Sequence, residues 1–249
     1  MICPSPGSSR HGGSEVRIRA SGALSWRTAN LRIPIHREGW RYIALAIAAN
    51  ALCFAVSLWA GLVVLPLTVW CILFFRDPER KAPEGRGLVI SPADGKLLPV
   101  IRAVPPPELG LGNTPRVRLS IFMDVFNVHV NRMPVSGRVT AMNYRHGRFF
   151  NASLDKSSEH NERMAIRVDP EEENRGSDAL AVIQIAGLIA RRIKCDLLEG
   201  QSVRRGERFG IIRFGSRLDV YLPPDATVVV RENQRVRAGE TVLAKLACE

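Results

Sequence analysis

Ser216 follows Gly215 in the run Arg213-Phe-Gly-Ser-Arg217, with strand-like apolar sequence on either side. Glycine tolerates a turn of positive φ, and a serine just after it can swing its hydroxyl back onto the preceding carbonyl carbon. Held in a strained turn, that attack shifts the acyl group from nitrogen to oxygen and leaves an ester in the chain. β-Elimination from the ester gives dehydroalanine, which loses ammonia to water and becomes a pyruvoyl group. The plain alternative is a turn between two strands, the commoner use of Gly-Ser. His129 lies in an alternating stretch, 125–130, and is the best acid or base by residue type, because an unperturbed imidazole titrates near neutrality. A lone histidine in a strand is otherwise a structural residue. Asp94 precedes Gly95, and Asp-Gly is a common turn signal.

These residues need a scaffold of strands. From Arg76 onward short apolar or alternating runs are separated by Gly, Pro, Asp and Asn, at 87–90, 96–101, 117–122, 137–142, 163–168, 180–185, 209–214, 218–222, 226–230 and 241–246. Such runs predict a mainly β (α+β) fold, an antiparallel, sandwich-like catalytic domain with few short helices. One helix is expected at 185–192; residues 105–113 and 169–178 read as loops.

In front of this domain, residues 42–75 carry no charge over 34 positions. One helix of that length would rise about 50 Å against a hydrocarbon core of about 30 Å, so two helices turning near Ala60-Gly61, or one tilted helix with an interfacial piece, fit better. Both flanks are basic, with Arg37 and Arg41 before and Arg76, Arg80 and Lys81 after, which places both ends of a transmembrane helical hairpin on the cytoplasmic side of the cell (inner) membrane. The formal charge of +11 calls for an anionic partner, and the apolar block makes that partner a membrane surface rather than nucleic acid. The expected organisation is a disordered extension over 1–31, a basic flank and anchor over 32–76, and a catalytic domain over 77–249. The five cysteines show no Cys-x-x-Cys and no histidine pair at metal spacing, so neither a metal site nor a disulfide framework is expected.

Several segments occur in a telling order: Phe74-Phe-Arg-Asp-Pro78, Ser91-Pro-Ala-Asp-Gly95, Asn127-Val-His-Val-Asn-Arg-Met-Pro134 with Gly137, Asn161-Glu-Arg163, Gln184-Ile-Ala-Gly187 and Phe209-Gly-Ile-Ile-Arg-Phe-Gly-Ser-Arg217. Together they resemble the short class of phosphatidylserine decarboxylase proenzymes. The resemblance implies cleavage between Gly215 and Ser216 into a large β chain and a small α chain of 34 residues, which stay together as a heterodimer. It implies a covalent pyruvoyl (pyruvate) cofactor made from Ser216, a Schiff base with the amine of phosphatidylserine, and loss of CO2 to give phosphatidylethanolamine. It also implies that His129 is the acid or base and that Asp94 orients it and helps activate Ser216. Longer bacterial members carry two histidines three residues apart here, and Arg132 occupies the second position. Arg132 is then a candidate to hold the substrate's carboxylate or phosphate, or simply a solvated charge at a strand end.

Two other classes stay open on the residues alone. A membrane-anchored serine hydrolase could use Ser216, His129 and Asp94, although no Gly-x-Ser-x-Gly elbow surrounds the serine. A membrane-tethered β domain without catalysis would need Gly-Ser only as a turn.

Overall fold

The computed structural model describes residues 34–147, 161–170, 178–187, 192–213 and 216–247. The expected extension over 1–31, Gly215, residues 171–177 of the acidic loop and residues 188–191 of the expected helix lie outside them.

The uncharged block folds into two antiparallel helices, α1 (Trp40–Val56) and α2 (Leu58–Phe74). They turn at Ser57, whose backbone is extended (φ −161°, ψ 139°), three residues before the expected position. Gly61 does not turn the chain. It lies inside α2, where a Cβ would stand 2.2 Å from the Phe54 ring, so its missing side chain lets the helices close on each other. The buried Asn50 amide donates to the Gly61 carbonyl at 3.1 Å, and the open ends are joined by Tyr42 stacked on Phe75 with ring centroids 5.4 Å apart. Leu45, Leu52, Val56, Trp59, Val63 and Leu67 all point outward and are exposed. A contiguous apolar surface of that kind marks an interaction surface. The helix Arg37–Val56 is long and apolar enough to cross a membrane; Leu58–Phe74, at 17 residues and about 26 Å, is a shorter apolar helix.

The rest is antiparallel β structure. Its strands among the described residues are β1 (Leu88–Ile90), β2 (Gly95–Leu97), β3 (Ile101–Ala103), β4 (Arg116–Met123), β5 (Val130–Arg132), β6 (Gly137–Arg145), β7 (Arg163–Pro170) and β8 (Leu180–Ala186). They continue as β9 (Ile193–Cys195), β10 (Ser202–Val203), β11 (Arg208–Ile212), β12 (Ser216–Tyr221), β13 (Thr227–Val228), β14 (Arg235–Val236) and β15 (Val242–Lys245). The largest sheet runs β10-β6-β7-β8-β12-β4-β2-β14, with β3 added beside β4. Two three-stranded sheets, β1-β15-β13 and β5-β11-β9, complete the fold.

Alternation in the central strands decides where the core lies. Leu119, Ile121, Val182, Leu218 and Val220 on one face of the large sheet meet Val89, Phe209, Ile212 and Leu243 from the two smaller sheets, all fully buried, in a sandwich-like arrangement. The opposite face is covered by Leu109 and Leu111 from the loop before β4. A third cluster joins Phe74 and Phe75 at the base of the hairpin to Val128, Val130 and Ile211.

The expected run 96–101 divides into β2 and the start of β3, and the short strands β5, β9, β10 and β14 were not among the expected runs. The expected helix at 185–192 is overturned at its start, because Ile185 and Ala186 end β8. Both pair with β12, and a strand buried on both faces reads as a continuous apolar run, which periodicity alone does not separate from a helix.

Candidate active site

Ser216 is the first residue of β12, the strand held between β8 and β4 at the centre of the large sheet. It stands opposite Met123 on one side and Ala186 on the other, and it is fully buried. Alternation puts Ser216 on the core face with Leu218 and Val220. Its hydroxyl donates to the Met123 Sδ at 3.9 Å, a weak acceptor.

His129 lies just before β5 and is also fully buried, its ring centroid 4.3 Å from that of Phe74. Nδ1 stands 3.0 Å from the Asn127 carbonyl oxygen. A carbonyl can only accept, so Nδ1 carries the proton and Nε2 presents a lone pair. That Nε2 has no hydrogen-bond partner among the described residues. Burial lowers the imidazole pKa to about 4, against smaller upward effects of the Asn127 carbonyl and Asp124. The ring is therefore neutral at physiological pH. The turn that delivers it is closed by Asp124 and Asn127 and tied to the hairpin, with Trp70 Nε1 donating to the Val125 carbonyl at 3.3 Å and Arg76 Nη2 to the Phe126 carbonyl at 2.7 Å.

Asp94 is spoken for on both oxygens. Oδ1 accepts from the Ala238 N–H at 2.7 Å, and Oδ2 accepts from Arg80 Nη2 at 3.1 Å. Arg132 is likewise committed to the protein: Nη1 donates to the Gly206 carbonyl at 3.0 Å, and Nη2 to the Pro78 carbonyl at 2.9 Å and Asp77 Oδ1 at 3.3 Å. Burial, and next the nearby Arg208, lower its pKa. Among the described residues no hydrogen bond links Ser216, His129 and Asp94 into a relay, and Arg132 bonds to none of them.

What surrounds Ser216 instead is a set of buried amides. Asn131 Nδ2 donates to the same Met123 Sδ at 3.8 Å, and Gln184 Nε2 donates to Asn131 Oδ1 at 2.8 Å. Asn161 Nδ2 donates to the carbonyl of Ala186, the residue paired with Ser216, at 2.8 Å. All three amides are fully buried. They belong to the ordered segments, but sequence reasoning gave them no role. The available signal was Gln184 in Leu-Ala-Val-Ile-Gln-Ile-Ala, a polar residue where an apolar strand expects none.

A prosthetic group made from the carbons of Ser216 needs no separate cradle, only polar neighbours with unspent capacity. His129 Nε2 and Gln184 Oε1 are both buried and without hydrogen-bond partners among the described residues, and Gln184 shares the core face with Ser216, diagonally across the strand pair. The residues at position 216 thus fit a pyruvoyl group. Among the described residues no cluster of His, Cys, Asp or Glu is arranged to hold a metal ion.

A profile of the phosphatidylserine decarboxylase family matches residues 67–244. A phosphatidylserine decarboxylase proenzyme of Paramagnetospirillum magneticum is 52% identical over 223 residues, covering 88% of this chain and 90% of its relative. Proenzymes of the same name from Azorhizobium caulinodans and Rickettsia bellii are 50% and 49% identical, covering 85% and 84% of this chain and 89% of each relative.

Proposed function

The chain belongs to the phosphatidylserine decarboxylase family, and from that premise we propose that it is a proenzyme that cuts its own Gly215–Ser216 bond and then converts phosphatidylserine to phosphatidylethanolamine and CO2. The observation that carries the reading is the place of Ser216: at the head of a central strand, fully buried, with only a thioether taking its hydroxyl proton.

The maturation chemistry follows from the chain's own atoms. The Ser216 Oγ attacks the Gly215 carbonyl carbon, the C–N bond to Ser216 breaks, and an ester forms. Removal of the Ser216 Cα proton expels the Gly215 carboxylate, and water then releases ammonia to leave a keto group. The neutral His129 Nε2 is the proposed proton acceptor, because its lone pair is unspent and its pKa of about 4 keeps it unprotonated. Asp94, bound to Arg80 and to the Ala238 N–H, is proposed to act through the field it sets up rather than as a direct partner of the histidine. The pyruvoyl group supplies an electron-poor ketone that condenses with the substrate amine and takes up the electron pair left when CO2 departs.

Arg132 is proposed to position rather than to bind substrate, since it holds the segment 77–78 and the turn at Gly206. The hairpin is proposed to anchor the enzyme in the cell membrane, with the basic flanks and the β domain on the cytoplasmic face and anionic lipid as neighbour. The large and small chains are proposed to remain together as a heterodimer.

A denaturing gel with intact-mass analysis tests the reading. The wild type should give two chains, the smaller blocked at its N-terminus, whereas Ser216→Ala should stay as one. Cleavage of the Ser216→Ala variant, or a single wild-type chain active on phosphatidylserine vesicles, refutes it.

A further inference from the structure

The orientation of the buried amides has a chemical consequence for what the site can bind. The oxygen and nitrogen ends of an amide side chain are told apart by their hydrogen bonds. The Asn131 amide faces the Met123 Sδ at one end and Gln184 at the other. A thioether can only accept, so the Asn131 NH2 must face it and Oδ1 must face Gln184. Gln184 must then present its NH2 to Asn131, which leaves Oε1 as the free end. It is an acceptor, it is buried, and it has no partner among the described residues.

His129 reaches the same state by a different route, since the Asn127 carbonyl takes the proton on Nδ1 and leaves Nε2 as a lone pair. Among the described residues these two buried groups are thus both acceptors without donors. An unmade hydrogen bond at a buried group is costly, so the site favours a ligand that brings donors. Gln184 is placed to reach such a ligand at position 216. Its register partner in β12 is Leu218, it shares the core face with Ser216, and it stands diagonally across the strand pair from it. That diagonal spans about 7–8 Å, within reach of a long side chain.

We propose that Gln184 Oε1 is a substrate-binding acceptor that receives an N–H of the primary amine as it approaches position 216, with Asn131 fixing its direction. The inference rests on the decarboxylase reading and adds to it the group that selects the amine. An ammonium group supplies three donors, and a charge-assisted hydrogen bond to an amide oxygen is stronger than a neutral one. Asn131 is a positioning residue: its own donors go to the thioether, and it acts through Gln184.

The test uses the full-length protein in phosphatidylserine-containing vesicles, comparing the wild type, Gln184→Met and the double variant Asn131→Leu/Gln184→Met. Three quantities are read: self-cleavage on a denaturing gel, reaction of the small chain with hydroxylamine, and the rate at which cyanoborohydride fixes substrate onto that chain by intact mass. Gln184→Met keeps the size of the side chain and removes the acceptor. The double variant also removes the Asn131 carbonyl that Gln184→Met would strand. Both variants should cleave and take hydroxylamine as the wild type does, while substrate capture slows about 10- to 100-fold. Capture at the wild-type rate in both overturns the proposal. Failure of both to cleave also overturns it, because the amide would then serve the precursor. If instead the wild type neither cleaves nor reacts with hydroxylamine, the decarboxylase reading itself has failed.

Discussion

Replacing His129 with leucine should flatten the acid side of the protein's stability curve. The buried ring has a pKa of about 4, whereas an imidazole in the unfolded chain binds its proton near 6.5. Between those values the unfolded state holds a proton that the folded state refuses. The stability due to neutral burial is therefore complete above about pH 6.5 and is lost as the pH falls towards 4. Integrated from neutral pH down to about pH 5, the loss is about 2 kcal/mol, and it approaches about 3 kcal/mol at pH 4. The comparison is best made in the Ser216→Ala background, which should remain one chain. Denaturant unfolding in detergent micelles would be followed by far-ultraviolet circular dichroism, because three of the four tryptophans, Trp40, Trp59 and Trp70, lie in the hairpin and their fluorescence would report mainly that part. The other buried imidazole among the described residues, His36, whose pKa is lowered chiefly by burial, contributes to both proteins and cancels in the difference. Stability curves that run parallel from pH 7 to pH 5 would refute the buried neutral histidine. The same value predicts that self-cleavage keeps its rate down to about pH 5, where an ordinary histidine would be almost wholly protonated.

Two further substitutions probe the scaffold. Arg132→Lys cannot reproduce a fork that reaches Gly206, Pro78 and Asp77 together, so it should lower stability by about 2–4 kcal/mol in denaturant unfolding. A normal stability with a raised KM would instead make Arg132 a substrate ligand. Gly95→Ala places a Cβ 2.2 Å from the Phe122 carbonyl oxygen, which is backbone and cannot move aside, so β2 should be forced off β4 at a cost above about 2 kcal/mol. The readout is the melting temperature of the Ser216→Ala precursor with and without the change.

The β character and the hairpin were legible because each rests on local pattern, whereas Ser216 stood out only through the ordered segments around it. An uncharged block of 34 residues forms helices wherever it is placed, and β4, β7 and β8 are long enough for their apolar runs to announce them. Strands of two or three residues such as β10 and β14 carry no period to read. The turn of the hairpin was misplaced because glycine is both a chain breaker and a contact residue, and only the position of Phe54 decides between them at Gly61. The amide set was illegible for a different reason. Asn131, Asn161 and Gln184 come from three separated segments, and only strand pairing brings them around Met123 and Ala186. Asp94 and Arg132 stood out by residue type, yet type says nothing of which neighbours have already claimed their hydrogen bonds.

The place of β12 has a consequence for the protein's history. The described residues after the proposed cut contribute to the fold in an interleaved way: β12 fills the middle of the large sheet, β14 lies on β2 at its edge, and β13 and β15 form a sheet with β1. Before the cut, β12 finds its slot between β8 and β4 as part of one molecule. Afterwards the same pairing would be an encounter between two molecules, a 34-residue peptide and a partner with a gap through its centre. The mature protein would keep the shape and lose the means of regaining it, so that its lifetime is set by how slowly it opens and no longer by an equilibrium. On the proposed reading, maturation in this architecture would be a one-way act: the chain would fold only while inactive, and would act only once it could no longer refold.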